Sequence, residues 1–199
     1  MRKTAALAGL VLVTLFGTSC VGGYNKLIAE GQAVDAQWAQ VENAYQRRAD
    51  LVPNLVETVK GAAKFESSTV IAVAEARSRV GQVSAGATEK ITNDPAALQR
   101  FQQAQDGLSS ALSRLLVVSE QYPDLKATAS FRDLQAQLEG TENRIAVERM
   151  RYNEAAQRYN TTRASFPTAV VAKLFSSRFP EKAYFHAQAG AATAPTVKF

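Results

Sequence analysis

The chain has 199 residues, 46% of them hydrophobic and 21% charged, which is enough apolar material for one domain with a real core. Its pI of about 9.4 suggests a nucleic-acid partner, but Arg2 and Lys3 belong to a leader and leave 21 basic residues against 18 acidic. A surplus that small excludes a polyanion-binding class and fits a solvated helical surface, so no nucleic acid is expected.

The first twenty residues read "MRKTAALAGLVLVTLFGTSC": two cations, an apolar run from Ala5 to Phe16, then small residues ending at the only cysteine. That is the layout of a secretory signal over residues 1–19. An uncleaved membrane anchor is the competing reading. However, the run from Thr4 to Val21 contains Gly9, Gly17, Thr18 and Ser19, and it falls short of the ~20 apolar residues that a spanning helix needs. A single cysteine in an exported chain cannot form an internal disulfide. "FGTSC" resembles a bacterial lipobox, with Gly17 standing where Leu or Val is usual, so Cys20 is expected to be acylated and to become the mature N-terminus. Each buried CH2 contributes roughly 0.8 kcal/mol, so two or three acyl chains anchor firmly where one alone is marginal.

From Tyr24 onward Leu27, Val34, Trp38, Val41 and Tyr45 fall at heptad spacing, with Gly31 in the remaining seam place. The stripe resumes beyond Pro53 with Leu55, Val59 and Ala62, and again with Val70, Val73 and Val80. "GAAKFESS", Gly61 to Ser68, suits a helix end and a new start; a single helix to about Val83 is the alternative. "GQVSAGATEKITND", Gly81 to Asp94, has the composition of a loop. Asp94 and Pro95 form an N-cap and first-turn proline. They open a third stripe through Leu98, Phe101, Leu108, Leu112, Leu115 and Tyr122 that Pro123 stops.

A fourth stripe carries Phe131, Leu134, Leu138, Ile145, Tyr152, Ala155, Tyr159 and Phe166, with polar Thr141, Glu148 and Thr162 in seam places. Four such stripes with short connections predict an all-α fold, an antiparallel coiled four-helix bundle. The matched lengths of the first helix (Tyr24 to Lys60) and the last (Thr128 to Ser165) predict a membrane-proximal stalk of those two, with a four-helix head beyond it. "SFPTAVVAKLFSSRFPEKAYF" interleaves aromatics with cations, as at a membrane interface, or forms a short helix packed back on the stalk. The tail, residues 186–199, is low in complexity and expected to be disordered.

"RRADLVPNLVETVKG" puts Arg47, Arg48, Asp50 and Pro53 where an apolar seam should run. A proline inside a helix removes one hydrogen bond, kinks the helix and frees the carbonyl four residues back, here that of Ala49, at a cost of about 3 kcal/mol. Asp50 or Asn54 instead caps a restarted helix in the alternative, with Glu57 completing a capping box. Pairing the first and last helices antiparallel with Trp38 opposite Tyr152 sets Tyr45 against Ile145 and Arg48 against Glu142. Glu139, Glu142 and Asn143 then meet Arg47, Arg48, Asp50 and Asn54 in a polar layer. Such a layer inside an apolar seam penalises slipped registers.

These segments, with "EAR" at Glu75 to Arg77, "LEGTENRIAVERMRYNEAAQRYN" and "FPTAVVAKLF", resemble the LemA family of bacterial envelope proteins over Tyr24 to Phe179. The resemblance implies a coiled four-helix bundle anchored to a membrane at its N-terminus, and it supplies no agreed catalytic residues. Family members commonly keep an uncleaved hydrophobic helix, whereas this chain ends that segment in "GTSC". The candidate structural or recognition layer is therefore Arg47, Arg48, Asp50, Pro53, Asn54, Glu57, Glu139, Glu142, Asn143 and Arg144.

Bundle metal sites need inward carboxylates with Glu-x-x-His pairs, and the only histidine, His186, sits in the tail region; no metal and no cofactor are expected. "GATEK" lacks the spacing and the preceding strand of a phosphate loop. Glu139, Glu142 and Glu148 are the carboxylates available for acid–base work, and arginines at hand are expected to keep them paired and ionised. The function expected is a non-enzymatic, membrane-anchored scaffold or adaptor that meets other envelope proteins, or itself, through helix faces. The alternative is a small-ligand or lipid-binding module that uses the polar layer at the Pro53 kink.

Overall fold

The computed structural model describes residues 2–61, 67–85 and 91–186. Over those residues it is all-helical: α1 (Arg2–Lys60), α2 (Ser67–Ala85), a 3-10 turn (Ile91–Asn93), α3 (Pro95–Ser119), α4 (Pro123–Ala127), α5 (Ala129–Ala164) and α6 (Thr168–Leu174). α1 begins well ahead of Tyr24, because the leader, rich in Ala and Leu, has strong helix propensity of its own. Among the described residues no helix is long and apolar enough to cross a membrane.

Local chemistry sets most boundaries. α1 closes at Gly61, whose N–H reaches the Glu57 carbonyl at 3.1 Å, and α2 starts at Ser67, which overturns the single-helix alternative. The expected cap of α3 is present: Asp94 accepts from the Ala96 N–H at 2.8 Å, with Pro95 in the first turn. Thr128 caps α5 in the same manner through the Phe131 N–H, and Thr128 and Ser165 bracket the helix at the limits read from the sequence.

Two further boundaries differ from expectation. The loop predicted over Gly81 to Asp94 is still helix as far as Ala85, because Val80 is buried and Val83 packs on the core. Pro123 does not stop α3, which has already ended at Ser119; it opens α4 at the first helical position, where its missing N–H costs nothing.

Most of the seam residues are buried; Tyr122 and Leu134 are half-buried, and Ala62 lies outside the described residues. Rising numbers on α1 meet falling numbers on α5: Trp38 lies 5.5 Å from Tyr152 between ring centroids, and Arg48 meets Glu142 at 2.8 Å. Gly31 faces Tyr159, whose Cε2 would lie 3.6 Å from an added Cβ. This is the register that the Trp38–Tyr152 pairing predicts. Phe166 departs from the predicted seam; it lies past the end of α5 and is 78% exposed.

The core has two parts. One joins α1 from Leu27 to Tyr45 with α5 from Ile145 to Tyr159, and adds Leu98 and Phe101 of α3, Val171 of α6 and Phe185. The other joins Val52, Leu55 and Val59 of α1 to α2, to Leu108 through Leu115 of α3, and to Phe131 and Leu138 of α5. Leu27, Leu55, Leu108 and Leu115 are fully buried, each stabilising the fold by about 1.5–3 kcal/mol of transfer free energy.

After α6 the chain runs back along α5 as an irregular strap, residues 180–186, held by side chains of two Tyr–Asn pairs. Tyr152 and Tyr159 donate to the carbonyls of Ala183 (2.9 Å) and Pro180 (3.1 Å). The Asn153 amide binds both the N–H and the carbonyl of Phe185, and Asn160 does the same for Lys182. The pairs recur after seven residues, about 10.5 Å of helix rise, while three residues of extended chain cover about 10 Å. Each helical heptad therefore meets every third strap residue.

Candidate functional site

Arg48 sits where the two core parts meet. On α1 it falls between Tyr45 of one and Val52 of the other, and on α5 its partner Glu142 falls between Ile145 and Leu138. Its side chain is 1% exposed. Heptad spacing from Tyr45 turns this position inward, so a cation is carried into the seam and must be supplied with acceptors.

Helices α3 and α5 supply them. Arg48 Nη1 donates to Ser109 Oγ at 2.6 Å and to Glu142 Oε1 at 2.8 Å. Nη2 donates to the Gln105 carbonyl at 3.2 Å and to the Gln105 side-chain oxygen. The guanidinium carbon lies 5.1 Å over the Tyr45 ring, and Nε is the one buried donor of the group left without an acceptor. Burial raises the Tyr45 phenol above its ordinary range, against the opposing pull of Arg149 and Arg48, and keeps the ring neutral. Gln105 and Ser109, one turn apart on α3, were not singled out from the sequence; the signal for Gln105 is a polar interruption between Phe101 and Leu108, and Ser109 follows directly after Leu108.

The other expected members do not join this layer. Arg47, Asp50 and Arg144 are exposed and line a separate groove between α1 and α5 of about 690 Å³, with Gln40, Asn43 and Gln137. Asp50 accepts from Gln46 at 2.7 Å within its own helix. Glu139 and Asn143 turn toward a second groove, between α3 and α5. The helical pitch of about 100° per residue separates them: adjacent positions such as Arg47 and Arg48 cannot face the same neighbour.

Pro53 is exposed, and α1 runs through it without a break, so neither Asp50 nor Asn54 caps a restarted helix. The capping box of that alternative is absent. The Asn54 carbonyl accepts from Thr58 Oγ1 at 2.8 Å, and Glu57 pairs with Lys60 at 3.1 Å. The Ala49 carbonyl that Pro53 frees is met by Arg77 Nε of α2 at 3.4 Å. That contact gives the arginine of "EAR" a physical role: it satisfies the acceptor that the proline leaves and ties α2 to α1.

Two further buried charges lie toward the leader. Glu148, whose side chain is 4% exposed, accepts from Gln37 at 2.7 Å and Arg151 at 3.2 Å. Lys182 of the strap, equally buried, reaches Asn93 at 2.9 Å and Asp35 at 3.3 Å. Around them Trp38 packs edge-on against Phe101 and Tyr152 and stacks on Phe185 at 5.9 Å. Arg48, Glu148 and Lys182 are each tied to groups from a different element, so the arrangement holds helices and strap together. Among the described residues no three His, Cys, Asp or Glu side chains gather as a metal set.

Cys20 is half-buried on α1 beside the first core part. Four residues on, Tyr24 lies edge-on to Phe175 and Phe179 at 5.6 and 5.3 Å. The exposed His186 offers its backbone carbonyl to Gln102 at 2.8 Å and Arg149 at 3.3 Å.

Comparison with known proteins adds the lineage. The chain is 27% identical over 195 residues to "Magnetosome protein MamQ" of Magnetospirillum gryphiswaldense, covering 91% of this chain and 71% of that protein. It is 27% identical over 187 residues to "Magnetosome protein MamQ 2" of Paramagnetospirillum magneticum, covering 87% and 68%. It is 21% identical over 164 residues to "Protein LemA" of Metamycoplasma hominis, covering 82% and 70%. The family model described as LemA family matches residues 37–199 and so takes in the Arg48 layer, both Tyr–Asn pairs and the strap. With so much of its length matched, this chain belongs to the LemA family.

Proposed function

We propose that this chain is a membrane-anchored, non-enzymatic helical bundle of the bacterial envelope that serves as a scaffold or adaptor for other envelope proteins. The observation that carries this reading is the inward commitment of Arg48: its Nη1 and Nη2 donate to Gln105, Ser109 and Glu142 from α3 and α5. Such a layer fixes which helices meet and in what register, and leaves recognition to the exposed helix faces. In this reading α1, α2, α3 and α5 form an antiparallel coiled four-helix bundle, with α1 and α5 extending toward the membrane as a stalk. Acylated Cys20 is the anchor and the mature N-terminus, and the bundle is exported. The partners are envelope proteins or a second copy of the chain.

A second reading has one observation in its favour. The groove beside the layer, with Arg47, Arg144 and Asp50 on its walls, offers room and charge for a small anionic ligand or a lipid headgroup. Two measurements separate the readings. Mass spectrometry of the mature N-terminus from native membranes is expected to find an acylated Cys20, absent in Cys20→Ala; an intact Met1 overturns lipid anchoring. Photo-crosslinkers at Arg47 and Asn143, one on each groove, are expected to trap envelope protein or a second copy. A co-purified small molecule or lipid that disappears in Arg47→Ala with Arg144→Ala, at unchanged melting temperature, favours the binding module instead.

A further inference from the structure

We propose that the outward face of α6 seats in the interfacial region of an anionic lipid bilayer, with Phe166, Val170, Leu174 and Phe175 against the acyl boundary and Lys173 and Arg178 at headgroup level. The proposal rests on the membrane-anchored reading above and gives that anchor a second, noncovalent point of contact.

The face is built from spacing. Phe166 lies in the turn just before α6, and Val170 and Leu174, four residues apart, share one side of that helix. They are 78%, 45% and 76% exposed, while Thr168, Val171 and Ala172 on the opposite side are buried against α1 and α5. The stripe is therefore held outward by a packed helix. Among the described residues the other large exposed apolar side chains away from this end are Ile71, Val117, Val147 and Met150, on α2, α3 and α5.

Its location and charge identify the occupant. An added Cβ on Gly23 would come within 3.0 Å of Thr168, so α6 sits against α1 just after Cys20. Cys20 and Tyr24 are one helical turn apart, about 6 Å of rise, and the Tyr24 ring touches Phe175. Any membrane holding the leader or its acyl chains is within reach of the stripe. From Phe166 to Phe179 the chain has two cations, Lys173 and Arg178, and no acid. Apolar side chains on one face with cations beside them suit an anionic lipid surface.

The test uses the full chain reconstituted into phosphatidylethanolamine–phosphatidylglycerol vesicles, with acyl chains brominated or not. The only natural tryptophan, Trp38, is 9% exposed in the core and sets a constant background. Leu174→Trp, at an exposed site that leaves the fold intact, is expected to lose at least half of its added emission in brominated vesicles. Val117→Trp, on an exposed site of α3, is expected to lose none. Equal, weak quenching of both in chains that float with the vesicles overturns the seating of α6 and leaves the anchor standing. A chain that stays out of the vesicle fraction overturns both. A blue shift of Leu174→Trp without bromine quenching, with crosslinking to a second copy, also overturns it and makes the stripe a protein contact.

Discussion

Asn160 holds both backbone groups of Lys182: its amide donates to the Lys182 carbonyl at 2.8 Å, and its side-chain oxygen accepts from the Lys182 N–H at 2.9 Å. Asn153 repeats the arrangement on Phe185, one heptad away. A helix side chain here takes the place that a neighbouring strand fills in a sheet, so the strap is paired without belonging to a sheet.

Asn160→Ala removes both partners of one strap residue at once. Each partly buried group left unmatched costs about 1–3 kcal/mol, and the strap carries Lys182 and Phe185, which close the core over Trp38 and Asp35. Asn160→Ala is expected to lower the melting temperature and to speed amide exchange at Lys182 many-fold, with α2 and the far end of α3 unaffected. Hydrogen exchange by residue is the check. Unchanged protection at Lys182 means that packing of Phe185, not the amide, holds the strap.

The Arg48–Glu142 pair is asymmetric, and the asymmetry predicts which single change hurts more. Arg48 is 1% exposed and Glu142 43% exposed. Glu142→Leu leaves a buried cation without its carboxylate, for an expected loss of about 3–5 kcal/mol. Arg48→Met leaves only a solvated carboxylate and two α3 polar groups, and is expected to cost less. The double change Arg48→Met with Glu142→Leu is expected to fall below the sum of the two. Urea unfolding of the four chains measures this; strict additivity shows that the pair has no coupling.

Much of this fold was legible because helical seams are periodic. One aromatic pair, Trp38 with Tyr152, sufficed to set the register, since a slipped pairing would take Arg48 away from Glu142 and Gly31 away from Tyr159. The Asp94–Pro95 and Thr128 starts were legible from cap chemistry. The polar layer was read too broadly on α1 and α5 and missed its α3 members, Gln105 and Ser109: the helical twist sends Arg47, Asp50 and Arg144 to one groove and Glu139 and Asn143 to another. The strap escaped notice because its backbone bonds go to side chains and it has no period of its own. Its signal lay on α5, where "RYN" occurs twice seven residues apart, at Arg151 and Arg158.

Alkaline pH is expected to weaken the fold through its buried phenols. Burial raises Tyr45, Tyr152 and Tyr159 above the ordinary tyrosine range. Below about pH 10 both folded and unfolded chains keep these protons, and nothing changes. Above it the unfolded chain releases protons that the folded chain retains, so it binds fewer. Stability then falls as pH rises, by up to about 1.4 kcal/mol per pH unit for each such tyrosine. Urea unfolding at pH 9 and pH 11.5 is the measurement. Tyr152→Phe is expected to be weaker at pH 7, having lost its bond to Ala183, and to show a shallower alkaline slope. All six tyrosines of the chain ionising together near pH 10 without loss of fold would contradict it.

Two glycines on α1 are expected to respond to the same substitution in opposite directions. At Gly31 an added Cβ meets Tyr159 Cε2 at 3.6 Å, an ordinary contact, in the middle of a helix. Gly31→Ala gains helix propensity of up to about 1 kcal/mol and adds packing, so it should raise the melting temperature. At Gly23 an added Cβ meets Thr168 Cγ2 at 3.0 Å, and the Thr168 backbone lies just behind. Relief there requires α6 to move, which would disturb the Tyr24 contacts with Phe175 and Phe179. Gly23→Ala should therefore lose the propensity gain to strain and open the α6 packing, read as a lower melting temperature and faster proteolysis after Lys173. If both substitutions stabilise equally, α6 does not lie as close to α1 as Gly23 permits.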